Sequence, residues 1–147
     1  RVDYATPPHV TWEWLQDPLK RNLWGNGDTR WYAGDRPNGR TSKGMSNHCA
    51  HGKGVSTQVA LDWRPFEYST CESFDNGKKS LTETIRLEPL PNGGTRAHNI
   101  MQMNMPLPHF VRRILAQFMM TYVYKYDRAL RNAARLAEEE YEKAKSG

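Results

Sequence analysis

Signals for tight turns recur through the middle of the chain, and they restrict the possible folds more than any other feature. Between residues 29 and 105, Gly, Pro, Asn and Asp cluster in RPNGR (36–40), HGKG (51–54), WRPF (63–66), DNGK (75–78) and PNGG (91–94). Such clusters break extended segments into strands and reverse the chain direction. The spacing therefore predicts an antiparallel meander, in which each strand pairs with the next one along the chain.

The turns also predict a strand register. A two-residue Asn76-Gly77 hairpin and an Arg64-Pro65 corner place Thr70 opposite both Glu83 and Val59, and a three-residue loop at 92–94 places Ile85 opposite Met101. The resulting apolar sheet face consists of Val55, Val59, Leu61, Phe66, Tyr68, Leu81, Ile85, Leu87, Met101, Met103 and Met105. The opposite face, predicted to contact water, consists of Ser56, Gln58, Asp62, Glu67, Ser69, Thr82, Thr84, Arg86 and Glu88.

The hydrophobic period changes after Pro108. Apolar residues then recur at intervals of three and four, which predicts one amphipathic helix of more than thirty residues with a polar end. Its apolar side consists of Val111, Ile114, Leu115, Phe118, Met119, Tyr122, Val123, Tyr126, Leu130, Ala133, Ala137 and Tyr141.

Residues 7–24 predict two short helices before the sheet. Asp17 is placed to cap the second helix, Pro18 to occupy its first turn, and Gly25 to end it. The long helix must bury its apolar side against the apolar face of the sheet, so the fold class is α+β. A twisted sheet wrapped around a helix leaves a gap between them, and gaps of this kind hold ligands.

This order of elements resembles the helix-grip fold of the START, Bet v 1 and polyketide cyclase/dehydrase (SRPBCC) superfamily. The opening PPHVTWEWLQDPLKRNLW is similar to its entrance, and LDWRPFEYST resembles its strand–corner–strand passage. The resemblance implies a single domain over residues 1–147, with a cavity for a lipid, sterol, polyketide or aromatic compound. The superfamily's first strand is represented only by RVDYAT, so we expect a trimmed chain or a partner domain on the N-terminal side.

Glu83 is the strongest functional candidate because the predicted register puts its carboxylate on the apolar face. It would hydrogen-bond a ligand or act as an acid/base with a raised pKa, assisted by His48 or His51. Alternatively, Glu83 pairs with Arg or Lys at the cavity mouth, or faces water. The predicted ligand-binding residues are Thr57, Val59, Tyr68, Thr70, Ile85, Asn99, Met101, Met103, Phe118 and Tyr122.

These candidates leave three functions open. The first is a module that binds an apolar or amphipathic molecule. The second is a cyclase- or dehydratase-like enzyme in the same cavity. The third is a regulatory or interaction domain of a larger protein. No catalytic motif of known spacing is present, so the residues favour the binding module.

The stretch SNHCAHGKG (46–54) contains two histidines and one of two cysteines. We predict a strand end and a turn without a bound metal, because at most two of its donors converge on one side of a strand. A two-residue turn points His48 into the cavity, whereas a three-residue turn points Asn47, Cys49 and His51 inward. The less polar residues favour the second alternative.

Composition limits the remaining classes. The net charge of +5 comes from Lys and Arg scattered among acidic residues, so we expect no nucleic-acid partner. Two cysteines are too few for a disulfide framework and suggest reduced thiols in the cytoplasm. No apolar stretch is long enough for an integral membrane segment, and no motif implies a cofactor.

Overall fold

The computed structural model describes residues 1–25 and 27–147, with the backbone alone at Val123. The described residues form an α+β helix-grip fold, which confirms the predicted fold class. The strands are β1 (Val2–Tyr4), β2 (Thr29–Ala33), β3 (Ser46–His51), β4 (Gly54–Arg64), β5 (Tyr68–Asp75), β6 (Lys78–Pro89) and β7 (Thr95–Met103). The α-helices are α1 (Pro8–Gln16), α2 (Pro18–Trp24), α3 (His109–Phe118) and α4 (Tyr126–Ser146).

The helix pair forms as the sequence predicts. Asp17 lies between α1 and α2, and its side chain accepts a hydrogen bond from the Leu19 amide at 2.8 Å. Pro18 opens α2, where its missing N–H costs nothing. The two helices are locked together because Trp24 Nε1 donates to the Trp14 carbonyl at 2.8 Å.

The strands form one curved antiparallel sheet in the order β1-β7-β6-β5-β4-β3-β2. The predicted Asn76-Gly77 hairpin is confirmed: both residues have positive φ, and Asp75 pairs with Lys78. The predicted short strand in RVDYAT is also present, as β1 at the edge beside β7.

The predicted faces of β5 and β4 are wrong. A β-bulge in the β5–β6 pairing inverts β5, and β4 is inverted with it because Val59 lies opposite Glu72, two residues from its predicted partner Thr70. After the hairpin, an irregularity between Ser73 and Phe74 shifts the register by one, so Cys71 rather than Thr70 lies opposite Glu83. A one-residue shift moves every following side chain to the other face. Cys71 and Ser69 therefore point inward, and Thr70 points outward with the rest of its alternate set.

Between β4 and β5 the corner contains three residues, since Arg64 pairs with Tyr68, and a second irregularity lies between Ala60 and Asp62. Gln58 and Ala60 are buried, and the predicted inward residue Val55 is half exposed. β6 therefore turns its predicted apolar residues inward, whereas the residues of β4 that were predicted to face inward face outward. On the outer side lie Thr57, Val59, Tyr68 and Thr70.

β6 and β7 present the predicted faces in a different register. The loop between them is longer than expected, with Pro89 paired to Thr95, so Glu83 lies opposite Met101 and Ile85 opposite Asn99. A shift of two residues preserves the inward set, which is why this face could be predicted although the loop length was not.

The single long helix predicted after Pro108 is interrupted. α3 is followed by a π-helical turn over Met119–Val123, and Lys125 adopts a left-handed conformation with φ 47° before α4 begins. No glycine or proline marks this break in the sequence, which is why the period alone missed it. The side chain of Val123, which belongs to the predicted apolar side, lies outside the described part of the structure.

α4 is the helix that closes the core. It packs against α1, α2 and β1 through a line of small residues. Ala133 and Ala137 have no exposed surface, and Leu130 and Ala129 are buried beside them. In the described ranges, 1–25 and 27–147, no helix is both long and apolar enough to cross a bilayer.

Replacing Ala133 by Leu should lower the free energy of unfolding by about 1–3 kcal/mol, because the added methyl groups have no space beside α1 and β1. Urea unfolding followed by circular dichroism measures this loss. Ala144→Leu, at an exposed position of the same helix, should change stability by less than about 0.5 kcal/mol. Equal effects of the two substitutions would contradict the packing of α4.

Candidate ligand-binding site

A cavity of about 430 Å³ lies between the inner face of the sheet and the helices. Its walls are mainly apolar and aromatic, and a few polar groups converge on its floor and its mouth. The apolar walls are formed by Trp24, Trp31, Leu81, Met101, Met103 and Met120. Ligand pockets commonly combine such walls with a small number of placed polar groups.

The floor of the cavity is a buried polar network around Glu83. We call it the Glu83 cluster; its members are Arg21, Gln58, Glu83, Asn99 and Tyr126. Arg21 Nη2 donates to Glu83 Oε2 at 2.9 Å, and Gln58 Nε2 donates to the same oxygen at 3.1 Å. Asn99 Nδ2 and the Tyr126 hydroxyl donate to Oε1 at 3.0 and 2.5 Å. Each carboxylate oxygen of Glu83 therefore accepts two hydrogen bonds.

Five elements supply the cluster, one residue each. Arg21 comes from α2, Gln58 from β4, Glu83 from β6, Asn99 from β7 and Tyr126 from the first turn of α4. Gln58 also accepts from Arg21 Nη1 at 3.0 Å, so the guanidinium is held at two points.

Two tryptophans flank the Arg21 guanidinium. Its central carbon lies 4.3 Å from the centre of the Trp31 ring and 5.7 Å from that of Trp24. The π faces attract the cation and shield it from water. This part of the cavity therefore combines an aromatic surface with a fixed positive charge.

The cluster determines the protonation of Glu83. Burial alone would raise the pKa of this carboxyl, but the Arg21 charge and the hydrogen bonds from Asn99 and Tyr126 outweigh burial and hold it below its ordinary value. This corrects the expectation of a raised pKa. Burial and the neighbouring Glu83 charge raise the pKa of Tyr126, so its phenol stays protonated and donates.

A second polar group lies at the mouth. His51 Nε2 is 2.8 Å from Ser56 Oγ, and Ser56 Oγ donates to Asp75 Oδ1. The hydrogen bonds from Ser56 and Ser80 lower the pKa of Asp75, so this carboxyl is ionised at neutral pH. His51, Ser56 and Asp75 all line the cavity, which gives it a polar rim above apolar walls.

The structure brings together some of the predicted site residues. Glu83, His51, Met101 and Met103 line the cavity, and Asn99 reaches it through the Glu83 cluster. Ile85 is buried in the core beneath it rather than lining it.

Other predicted residues lie elsewhere. Thr57, Val59, Tyr68 and Thr70 are on the outer sheet face because β5 and β4 are inverted by the bulge between β5 and β6, so the expectation that they face the cavity is corrected. Phe118 and Tyr122 are exposed on and after α3, outside the lining.

The stretch SNHCAHGKG forms the strand end and turn that its residues predict. Gly52 and Lys53 make a two-residue turn, which places His48 opposite Thr57 at 3.0 Å between Nδ1 and Oγ1. The favoured inward side is nevertheless right, since Cys49 and His51 line the cavity and His48 lies on the outer face. The predicted three-residue turn is wrong. The predicted inward side of β3 is nevertheless correct, because its partner β4 is also inverted and the two errors cancel.

The two cysteines are free and buried. Burial raises the pKa of the Cys71 thiol to about 12 and that of Cys49 above its ordinary value, which disfavours the reactive thiolate. Within the described residues, no three His, Cys, Asp or Glu side chains are grouped to hold a metal ion. The absence of a metal stays a prediction.

The sequence analysis missed several site residues, among them Arg21, Gln58 and Trp31. Arg21 carried a usable signal: Pro18, Arg21 and Trp24 recur at intervals of three and are all buried on one side of α2. A cation at an otherwise apolar helical position indicates a buried partner.

Comparisons with known proteins identify the fold and nothing finer. No family model matches the chain, and no curated protein matches it. CV1439 from Chromobacterium violaceum is 15% identical, with a TM-score of 0.64 and 93% of each chain covered. Ms6760 from Mycobacterium smegmatis is 14% identical, with a TM-score of 0.65, covering 95% of this chain and 88% of its own.

A further similar structure is DynU16, a protein in the dynemicin biosynthetic locus. It is 16% identical with a TM-score of 0.58, and the match covers 88% of this chain and 44% of DynU16. At these identities the likeness shows a shared helix-grip-like architecture.

Removing either charge of the buried pair should be costly. Arg21→Met or Glu83→Gln leaves the other group without its main partner and should each cost about 3–5 kcal/mol of unfolding free energy. The double variant should lose clearly less than the sum of the two, which a double-mutant cycle in urea measures. The corresponding substitutions in the exposed Arg96–Asp3 pair should change the free energy of unfolding little. Additive losses at Arg21 and Glu83 would contradict the coupling.

The free energy of unfolding should decrease at acidic pH, and Glu83 should account for part of this decrease. Its folded pKa lies below the ordinary 4.5, so folding favours the carboxylate. The resulting stabilisation is complete above the unfolded pKa and is lost as pH falls through the folded pKa. Between about pH 7 and pH 3, the wild type should therefore lose more unfolding free energy than Glu83→Gln. Glu138→Gln, which removes an exposed carboxylate, should follow the wild type.

Proposed function

We propose that the protein binds an apolar or amphipathic small molecule in the cavity between the sheet and the C-terminal helices. The observation that carries this proposal is the apolar-walled cavity of about 430 Å³, whose charged floor is neutralised by its own hydrogen bonds. A volume of this order falls in the range of small-molecule sites, roughly 300–1,000 Å³.

The walls favour the class of ligand that the superfamily resemblance implies: a lipid, sterol, polyketide or aromatic compound. Met101, Met103 and Met120 adapt to irregular apolar shapes because the thioether chain is flexible and polarisable. Trp24 and Trp31 provide flat surfaces for rings. The rim of His51, Ser56 and Asp75 suits a polar end of the ligand that stays near solvent.

The Glu83 cluster supports binding over catalysis. A general base needs a free acceptor position on the carboxylate, and both Glu83 oxygens already accept two hydrogen bonds. A general acid needs a proton, and the lowered pKa leaves Glu83 ionised at neutral pH. A cyclase- or dehydratase-like reaction would require this network to open.

The resemblance to the SRPBCC superfamily and the likeness to a protein of the dynemicin biosynthetic locus support a role with small organic ligands. We also propose a cytoplasmic location, which the two free, buried cysteines support.

Filling the cavity tests the proposal. Native mass spectrometry of the purified wild type should reveal a bound organic molecule, and 1-anilinonaphthalene-8-sulfonate should bind with enhanced fluorescence. Met103→Trp, which occupies the cavity, should weaken dye binding by about tenfold or more. Val55→Trp, on the outer face of β4, should leave it unchanged.

Two results would contradict the proposal. One is dye binding that Met103→Trp leaves intact while the variant remains folded by circular dichroism. The other is a wild type that binds neither dye nor cellular compound, which would favour the regulatory or interaction domain instead.

A further inference from the structure

α3 lies against β7 through half-buried residues, among them Val111, Arg112 and Leu115, and it exposes a row of large apolar side chains to solvent. Its polar residues His109, Arg112, Arg113 and Gln117 line a cleft of about 900 Å³ against β7. No side chain of this fully described helix is buried. Amphipathic helices on globular proteins ordinarily turn their large apolar side chains toward the core, so the exposed row on α3 is unusual.

The apolar side is a continuous exposed stripe. It consists of Phe110, Ile114, Phe118 and Tyr122, which we call the α3 stripe. Their exposed fractions are 67%, 67%, 53% and 68%. A spacing of four residues places them in one row along the helix. The π-helical turn continues the row, since the Phe118 and Tyr122 ring centres are 5.2 Å apart.

We propose that the α3 stripe is a membrane-docking surface for bilayers that contain anionic lipids. Contiguous exposed aromatic and aliphatic side chains mark interaction sites. A strongly amphipathic helix with arginines on its polar side is the form that lies in the plane of a membrane interface. In that position the stripe enters the boundary between headgroups and acyl chains, and the exposed Arg113 and Lys125 reach the phosphates.

The charge around the stripe favours an anionic surface. From the start of α3 to the residue before α4 (109–125), the chain has Arg112, Arg113 and Lys125 and no Asp or Glu. Arg113, which precedes Ile114 of the stripe, and Lys125, which follows Tyr122 by three residues, are both exposed. Each basic group near an anionic leaflet strengthens binding.

The same charge disfavours a second copy of this chain as the occupant. A symmetric dimer would place the same patch of both subunits face to face. The basic residues beside the stripe would then oppose one another, which costs energy in a desolvated interface. A bilayer with anionic headgroups supplies the opposite charge along the whole helix.

Docking does not require the core to open. α3 is separated from α4 by the left-handed Lys125, and the buried residues of the C-terminal segment belong to α4. The stripe is already exposed, so the membrane meets a preformed surface.

The test compares the wild type with Phe110→Ser/Phe118→Ser by co-sedimentation with vesicles. Leu19→Ser/Leu23→Ser serves as the matched control, because these leucines are equally exposed on another helix. The wild type should bind phosphatidylcholine vesicles containing phosphatidylglycerol, and bind pure phosphatidylcholine weakly. The stripe variant should bind at least about tenfold less, and the control should match the wild type.

Salt should weaken the wild-type binding, because charges at the membrane surface are screened. The stripe variant should retain the wild-type melting temperature, since Phe110 and Phe118 are exposed and belong to no buried core cluster. It should also retain dye binding in the cavity, so this proposal and the proposed function can fail separately.

Three outcomes would contradict the proposed docking surface. The wild type does not bind anionic vesicles, or the stripe variant binds them as well as the wild type does. In the third, the control variant loses as much binding as the stripe variant. Analytical ultracentrifugation tests whether the stripe instead binds a second copy of this chain. A wild-type dimer that Phe110→Ser/Phe118→Ser converts to a monomer would assign the stripe to a second copy instead.

Discussion

The buried ion pair between Arg21 and Glu83 joins every layer of this protein. Arg21 comes from the helix pair and Glu83 from the centre of the sheet, while Tyr126 brings the start of α4 to the same carboxylate. Taking two charges out of water is expensive, and the cost is offset only if every lone pair and proton is used. Here the amides of Gln58 and Asn99 and two tryptophan rings complete the set. The cluster therefore specifies one arrangement of α2, the sheet and α4.

That arrangement explains the different behaviour of the two C-terminal helices. α4 begins where Tyr126 is fixed, and its alanines let it approach α1 and β1 closely. α3 precedes Tyr126 and contributes no residue to the Glu83 cluster. The left-handed conformation of Lys125 lets α3 run in a different direction from α4. The ligand cavity is lined by Met120 and Tyr124 from the segment between α3 and α4, and by Tyr126 and Ala129 of α4. The proposed membrane surface thus borders the proposed binding site, although they rest on different residues.

Much of the architecture follows from local patterns. Asp17-Pro18 predicts the helix boundary and Asn76-Gly77 predicts the hairpin, because each depends on backbone preferences of a few residues. Alternation correctly identified the inward side of β6 and β7. It failed for β5, where a bulge near Phe74 shifts the pairing with β6 by one residue, and for β4, which is inverted together with β5. A bulge is a property of a strand pair, so no single strand's pattern records it.

The sequence by itself determined most element types, the positions of the turns, the α+β class and the inward position of Glu83, since hydrophobic period and turn chemistry act over short distances. Only the tertiary structure decided what surrounds that carboxylate. Arg21 and Tyr126 are 62 and 43 residues away from Glu83, and nothing in the spacing of those residues links them. The direction of α3 was likewise decided in three dimensions. Its period identifies an apolar side, but whether that side meets the core depends on where Tyr126 anchors the chain that follows.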